Sequence, residues 1–212
     1  MLNTEKIFQP KLQHFGLLTE NLQRLLDWYQ KVPGMRTIHE SENPTDAPAG
    51  SPAGRLKAAF ISNDEISHRV AIIEVPSLTA DPQRSKHRRL QHVAFEFGTL
   101  DEPLGSYSRL KALGIVPQFS VDEGPPTGFY YEAPDGNSVE INVCNDPERW
   151  AAIEHTPTSS DFNRRPLGVY VDPDKMIPRA RQAPQRGNCT SELGRASSRR
   201  PTRSTPPSCC EW

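Results

Sequence analysis

The stretch Leu12-Gln13-His14-Phe15 recurs 78 residues later as Leu90-Gln91-His92-Val93. Self-similarity at a fixed offset is typical of a repeated structural unit. Each copy opens a strand-like run of alternating residues, and each run leads into apolar residues at helical spacing. The strand and helix predicted for the two copies cover residues 11–18 and 22–29, and residues 89–97 and 104–113.

Three more strand-like runs follow each helix. They cover residues 35–39, 55–61 and 68–75 in the first copy, and 116–121, 127–132 and 138–143 in the second. The order βαβββ therefore occurs twice, and the sequence predicts an α+β fold with modules at about 11–76 and 89–145. Residues 1–10 are expected to form an N-terminal extension, and residues 146–177 a segment that wraps the core.

Composition and charge exclude several classes of function. The 212 residues are enough for one ordinary domain or two small ones, and the net charge of -1 predicts no nucleic-acid partner. No apolar run approaches the roughly 18–20 residues that cross a bilayer, so no membrane partner is expected. Residues 1–10 lack the apolar stretch of a signal peptide, and a cytoplasmic location is the expectation.

Composition changes near residue 178. Residues 179–212 contain seven Arg, two Glu and no Asp or Lys, among many Ser, Thr and Pro. Such a stretch does not bury enough apolar surface to fold, so residues 178–212 are predicted to be a disordered basic tail. A basic arm that contacts nucleic acid is the alternative interpretation.

Strand alternation indicates which side chains share a face. His14, His92 and Glu140 each fall on a polar-lined face, opposite apolar residues able to pack on a helix. The four cysteines form no Cys-x-x-Cys pair, so any metal must be held by imidazole and carboxylate. Two histidines at equivalent places in a repeat, with a glutamate on the closing strand, predict a divalent metal site. The alternative is that each histidine is simply a hydrogen-bonded polar residue in a strand.

The most specific motif lies between Tyr130 and Glu140, in Tyr130-Tyr131-Glu132-Ala133-Pro134-Asp135-Gly136-Asn137-Ser138-Val139-Glu140. It resembles the motif of single-domain extradiol ring-cleaving dioxygenases of the catechol or biphenyl-2,3-diol type. These enzymes belong to the vicinal oxygen chelate superfamily, which also contains glyoxalases and bleomycin-resistance proteins. The resemblance covers residues 10–145 and, more weakly, continues through residue 174. It implies two βαβββ modules that form a curved mixed sheet around a central metal cleft.

The resemblance also implies the chemistry of the site. The family's metal ligands fall on His14, His92 and Glu140, a facial triad that leaves three positions open on Fe(II) for a catecholate and O2. The same donors also suit Mn(II). The family's acid/base histidine falls on His68, and Tyr130 is expected to hydrogen-bond the substrate or the metal-bound oxygen. The implied partners are a small aromatic diol and O2, and a homodimer is the family expectation.

One position departs from the extradiol pattern. Glu123 stands where the family has another active-site histidine, six residues before the apolar-Tyr pair. A carboxylate does not donate a hydrogen bond at neutral pH as imidazolium does. Two alternatives therefore stay open: a glyoxalase-like isomerase that uses Glu74 as a fourth ligand to Ni or Zn, and a non-catalytic protein that binds a small molecule.

Overall fold

The computed structural model describes residues 7, 9–42, 56–146 and 149–182. The expected tail from residue 183 onward lies outside the described residues, as do most of the predicted N-terminal extension and residues 43–55. The chain divides into two compact units. Unit 1 contains residues 1–91 and 133–137, and unit 2 contains residues 92–132 and 138–212.

Unit 1 contains one helix and a four-stranded sheet. Its elements are β1 (Phe15–Thr19), α1 (Leu22–Lys31), β2 (Arg36–Glu42), β3 (Lys57–Ser62), β4 (Val70–Glu74) and a single 3₁₀ turn (Arg84–Lys86). The sheet order is β1-β4-β3-β2, with β1 and β4 parallel and the other pairs antiparallel. The apolar stripe of α1 is buried, and Leu25 and Tyr29 have no solvent-exposed surface. The Asn21 side chain caps this helix by accepting from the Arg24 amide at 3.0 Å.

Unit 2 repeats this plan and extends it. Its elements are β5 (Val93–Phe97), α2 (Asp101–Ala112), β6 (Phe119–Asp122), β7 (Pro126–Glu132), β8 (Ser138–Cys144), α3 (Arg149–Thr158), α4 (Ser160–Arg164), β9 (Val169–Tyr170) and α5 (Pro173–Gln182). The sheet order is β5-β8-β7-β6-β9, with β5 and β8 parallel. One face of this sheet is apolar and contributes the buried residues Phe129, Tyr131, Val139, Ile141 and Val143.

The turn at residues 134–137 joins β7 to β8. Gly136 has a φ of 75°, which favours glycine, and its amide donates to the Ala133 carbonyl at 2.8 Å. Arg84 holds this turn within unit 1 by donating to the Asp135 carbonyl at 3.0 Å and to the Asn137 side chain. The predicted hairpin between the two strands is confirmed.

The α+β class and the doubled βαβββ order are both confirmed. Each module builds a mixed sheet of its own. The segment after residue 145 adds α3, α4, β9 and α5, and α5 continues to Gln182, past the predicted start of the tail. Among the described residues, no helix is long and apolar enough to cross a membrane.

Candidate functional site

A buried carboxylate lies at the centre of the polar face of unit 2. Glu140, in the middle of β8, is 4% exposed, and its Oε2 is 3.0 Å from His92 Nε2. His92 comes directly before β5, the parallel neighbour of β8, and the register pairs Ala94 with Glu140. Because alternate residues of a strand share a face, His92 and Glu140 point to the same side, as the sequence predicted.

Two neighbours fix the other oxygen of Glu140. Asn142 Nδ2 donates to Oε1 at 2.9 Å. Gly128, opposite Asn142 on β7, leaves the space that this oxygen occupies, since a Cβ added at Gly128 would lie 2.6 Å from it. The carboxylate is therefore buried in a glycine cradle, in which a larger residue at position 128 would force Glu140 or Tyr130 to shift. Sequence reasoning did not single out Asn142 or Gly128, although Asn142 follows Glu140 at the two-residue spacing of one strand face.

Tyr130 lies between two carboxylates on the same face. Its hydroxyl donates to Glu123 Oε1 at 3.2 Å, and its ring packs edge-on against His92 with centroids 5.3 Å apart. Burial raises the pKa of Tyr130, and the nearby charges of Glu140 and Glu123 raise it further, so the phenol keeps its proton at neutral pH. Burial, and then the charge of Glu140, also raises the pKa of Glu123.

Unit 1 brings His14 and His68 together. The two imidazole rings have centroids 4.5 Å apart and are tilted by 49°. His14 directly precedes β1, and His68 lies two residues before β4, the parallel neighbour of β1. Phe60, on the sheet face opposite α1, packs edge-on against His68 with centroids 5.0 Å apart.

Arg69 holds both of these histidine-bearing segments. Its guanidinium donates to Asp64 Oδ2 at 2.8 and 2.6 Å and to the carbonyls of Leu12 and Gln13 at 3.3 and 3.2 Å. The Gln13 side chain in turn reaches the His68 carbonyl at 3.3 Å and contacts His14 Nδ1. The hydrogen bonds from Arg69 lower the pKa of Asp64. This arginine therefore positions the imidazoles without touching them.

Glu74 caps a helix. Its Oε2 accepts from the Leu22 amide at 2.7 Å, at the start of α1, and its Oε1 is 4.0 Å from Lys57 Nζ. Strand alternation over the predicted strand 68–75 would place Glu74 on the same face as His68, and this is not what the structure has. Glu74 faces α1, whereas His68 contacts Phe60 on the opposite face, because β4 begins only at Val70 and strand alternation does not reach back to residue 68.

The donor types fit a divalent metal. Each unit provides two of the groups that sequence reasoning selected: His14 and His68 in one, His92 and Glu140 in the other. Imidazole with carboxylate suits Fe(II), Mn(II) and Zn(II) alike. Within the described part of either unit, no group of three or more His, Cys, Asp or Glu side chains is placed to hold a metal ion. In unit 2, the buried carboxylate of Glu140 faces the imidazole of His92, and these are donor types that a divalent metal accepts.

The sequence is similar to one protein family and to two dioxygenases within the known proteins. A family model described as the Glyoxalase/Bleomycin resistance protein/Dioxygenase superfamily matches residues 11–141. Biphenyl-2,3-diol 1,2-dioxygenase 2 of Rhodococcus globerulus is 31% identical over 176 residues, which are 82% of this chain and 83% of that protein. Biphenyl-2,3-diol 1,2-dioxygenase 3 of the same organism is 34% identical over 136 residues, which are 64% of each chain.

One solved structure has a similar fold. A glyoxylase/bleomycin resistance protein/dioxygenase domain from Frankia sp. EAN1pec aligns with a TM-score of 0.53 at 12% identity. The alignment covers 66% of this chain and 95% of that domain. At this level of identity, the likeness concerns the arrangement of strands and helices.

Proposed function

Because the chain belongs to the glyoxalase/bleomycin resistance protein/dioxygenase superfamily, we propose that it is an extradiol dioxygenase that uses Fe(II) and O2 to cleave a catechol-type aromatic diol. The observation that carries the proposal is the arrangement of His92, Glu140 and Tyr130 on one sheet face. Two relatives named as biphenyl-2,3-diol 1,2-dioxygenases support the reaction and the substrate class.

His14, His92 and Glu140 are the proposed metal ligands. His92 and Glu140 are neighbours in unit 2, and His14 is the repeat equivalent of His92 at the start of the other module. Fe(II) is the proposed ion, with Mn(II) as the second choice for the same donors. When bound, the metal supplies Lewis acidity and open coordination positions for the diol and O2.

Two further residues are proposed to handle protons. His68, an imidazole and so a side chain able to accept a proton, takes a proton from a diol hydroxyl. Tyr130 keeps its phenolic proton, which it donates to Glu123 in the structure. In the complex with the diol, its hydroxyl is proposed to turn from Glu123 and donate to a substrate oxygen. The net reaction adds both oxygen atoms of O2 to the diol as the ring opens beside the two hydroxyl groups.

The test is an oxygen-electrode assay on protein loaded anaerobically with Fe(II). With biphenyl-2,3-diol or catechol, the expected result is uptake of one O2 for each diol and a yellow ring-opened product. We expect His68→Gln to lower kcat by about 100-fold or more, as loss of a general acid or base does. His87→Gln is the matched control, since His87 is an exposed imidazole paired with Asp81. Full turnover in His68→Gln would contradict its assigned role.

The isomerase alternative needs Glu74 as a ligand. The hydrogen bond of Glu74 to the start of α1 gives this carboxylate a capping role instead. An isomerase of this kind would convert a hemithioacetal with Ni or Zn and consume no O2. A non-catalytic binding protein would bind the diol with neither reaction, so the same assay separates the three functions.

A further inference from the structure

A row of aromatic rings crosses the polar face of the sheet in unit 2. The row begins at Tyr130, which packs against His92. Phe119 stacks on Tyr130 with centroids 4.5 Å apart and ring planes 18° from parallel. Tyr170 then meets Phe119 nearly perpendicularly, at 87° and 6.3 Å between centroids. The row thus leads away from the Glu140 carboxylate toward the edge of the sheet.

The strand register places these rings on one face. Tyr130 pairs with Glu140 on one side and with Phe119 on the other, and Tyr170 pairs with Val121, two residues after Phe119. The strands of Glu140 and Phe119 are two spacings apart, which is about 10 Å. That distance is comparable to the length of a molecule with two linked aromatic rings and exceeds that of one ring.

The outer two rings are open to solvent. Phe119 is 36% exposed and Tyr170 is 82% exposed, whereas Tyr130 is buried. Because Phe119 and Tyr170 are perpendicular, they form a corner that offers a third ring both a face and an edge. Offset-stacked and edge-to-face contacts are the two arrangements that aromatic rings prefer.

The position of Tyr170 is fixed by the backbone. The short strand β9 pairs with β6, and the Val171 amide donates to the Ser120 carbonyl at 3.0 Å. Gly168 has a φ of 72°, and a Cβ there would collide with the Asp122 carbonyl. Only glycine lets the chain approach β6 this closely, and this approach brings Tyr170 beside Phe119.

We propose that Phe119 and Tyr170 bind the second ring of a biaryl diol and so set a preference for biaryl over single-ring substrates. The inference rests on the proposed function, because it assumes that the diol is held beside His92 and Glu140. The stacking of Phe119 on Tyr130 connects the diol position beside His92 and Glu140 with the position proposed for the second ring. Phe119 and Tyr170 are specificity-determining residues and take no part in breaking the ring.

Equilibrium binding tests the proposal without turnover. The probes are biphenyl-2-ol and phenol, which each carry one hydroxyl, titrated under anaerobic conditions into Fe(II)-loaded protein by calorimetry. The wild-type protein should bind biphenyl-2-ol more tightly than phenol, and Tyr170→Ala should reduce that affinity ratio roughly tenfold. Phe119→Leu should reduce it by a similar factor, and Tyr170→Phe should retain it.

Leu113→Ala is the control, because Leu113 is an exposed apolar residue of the same unit outside this row. It should leave the affinity ratio unchanged. The proposal is overturned if Tyr170→Ala also leaves the ratio unchanged, or if it weakens both probes equally. It is also overturned if sedimentation shows that Tyr170→Ala converts a dimer to monomers, because the rings would then belong to a contact between two copies.

Oxygen uptake with biphenyl-2,3-diol and catechol separates failure of this inference from failure of the proposed function. If the variants alter the affinity ratio but no diol consumes O2 in the wild-type protein, the assignment of Phe119 and Tyr170 to the second ring stands and the dioxygenase function fails. If the wild-type protein cleaves both diols, and KM for the biaryl diol is the same in Tyr170→Ala as in the wild type, the assignment of Tyr170 to the second ring fails and the dioxygenase function stands.

Discussion

The side-chain amide of Asn142 donates to Glu140 Oε1 at 2.9 Å, from the next position on the same face of β8. The other oxygen, Oε2, faces His92 Nε2 at 3.0 Å. One oxygen of the buried carboxylate is thus held by the protein, and the other is directed at the neighbouring imidazole. This arrangement suits a ligand that binds a metal through a single oxygen.

Asn142→Leu should weaken metal binding. The substitution keeps the size of the side chain and removes the amide that orients Glu140, and loss of such a supporting hydrogen bond lowers metal affinity by about 10–100-fold. The dissociation constant for Fe(II) or Mn(II) measures the effect. Asn163→Leu, on the exposed surface of α4, should bind metal as the wild type does. Equal affinity in Asn142→Leu and the wild type would disprove the supporting role.

Gly128→Ala should disturb the carboxylate cradle. The added methyl group would lie 2.6 Å from Glu140 Oε1 and 3.1 Å from Tyr130 Cε2, so at least one of these groups must move. We expect a loss of stability of about 1–3 kcal/mol in denaturant unfolding, with weaker metal binding. Gly105→Ala is the control, because nothing lies within 4 Å of a Cβ there and the residue is in α2. That change should be neutral or stabilising, since alanine is the better helix former.

Asp64→Asn should destabilise the protein in a pH-dependent way. Arg69 lowers the pKa of Asp64 below its usual value of 3.8, so the folded state favours the carboxylate. The stabilisation is complete above the unfolded pKa and is lost as the pH falls through the lower folded value. Thermal unfolding should show a deficit on the order of 1 kcal/mol at pH 7, which shrinks below pH 3.8. A deficit that is constant across this range would show that the carboxylate charge is not responsible.

Glu123→Gln should stabilise the metal-free protein at neutral pH. Burial raises the pKa of Glu123 above its usual value of 4.5, so the folded protein binds this proton more tightly than the unfolded chain does. The wild type therefore loses stability as the pH rises through the folded pKa, and glutamine does not. Melting temperatures should be higher for the variant at pH 8 and converge below pH 4.5. The reverse trend would contradict the raised pKa.

The sequence predicted the repeated βαβββ order better than the positions of individual side chains outside the regular strands. Strand alternation correctly placed His92 and Glu140 on one face, because the pairing of regular strands preserves alternation. Tyr130 was selected only by its resemblance to the family motif, and the strand register places it on the same face. Alternation did not extend from β4 back to His68, since the chain just before β4 is a bend and not a strand. Phe119 and Tyr170 are adjacent only because β9 pairs with β6, a contact across 51 residues for which the sequence carries no local signal.

Metal stoichiometry tests the central claim, that one ion binds through His14, His92 and Glu140. Wild-type protein, reconstituted anaerobically with Fe(II), desalted and analysed by plasma mass spectrometry, should retain one equivalent of iron. His14→Ala, His92→Ala and Glu140→Gln should each retain little or none, while the His87→Ala control should retain one equivalent. Full iron content in any of the three ligand variants, with a correctly folded protein, would contradict that ligand's assignment. No iron in the wild type would contradict the site as a whole.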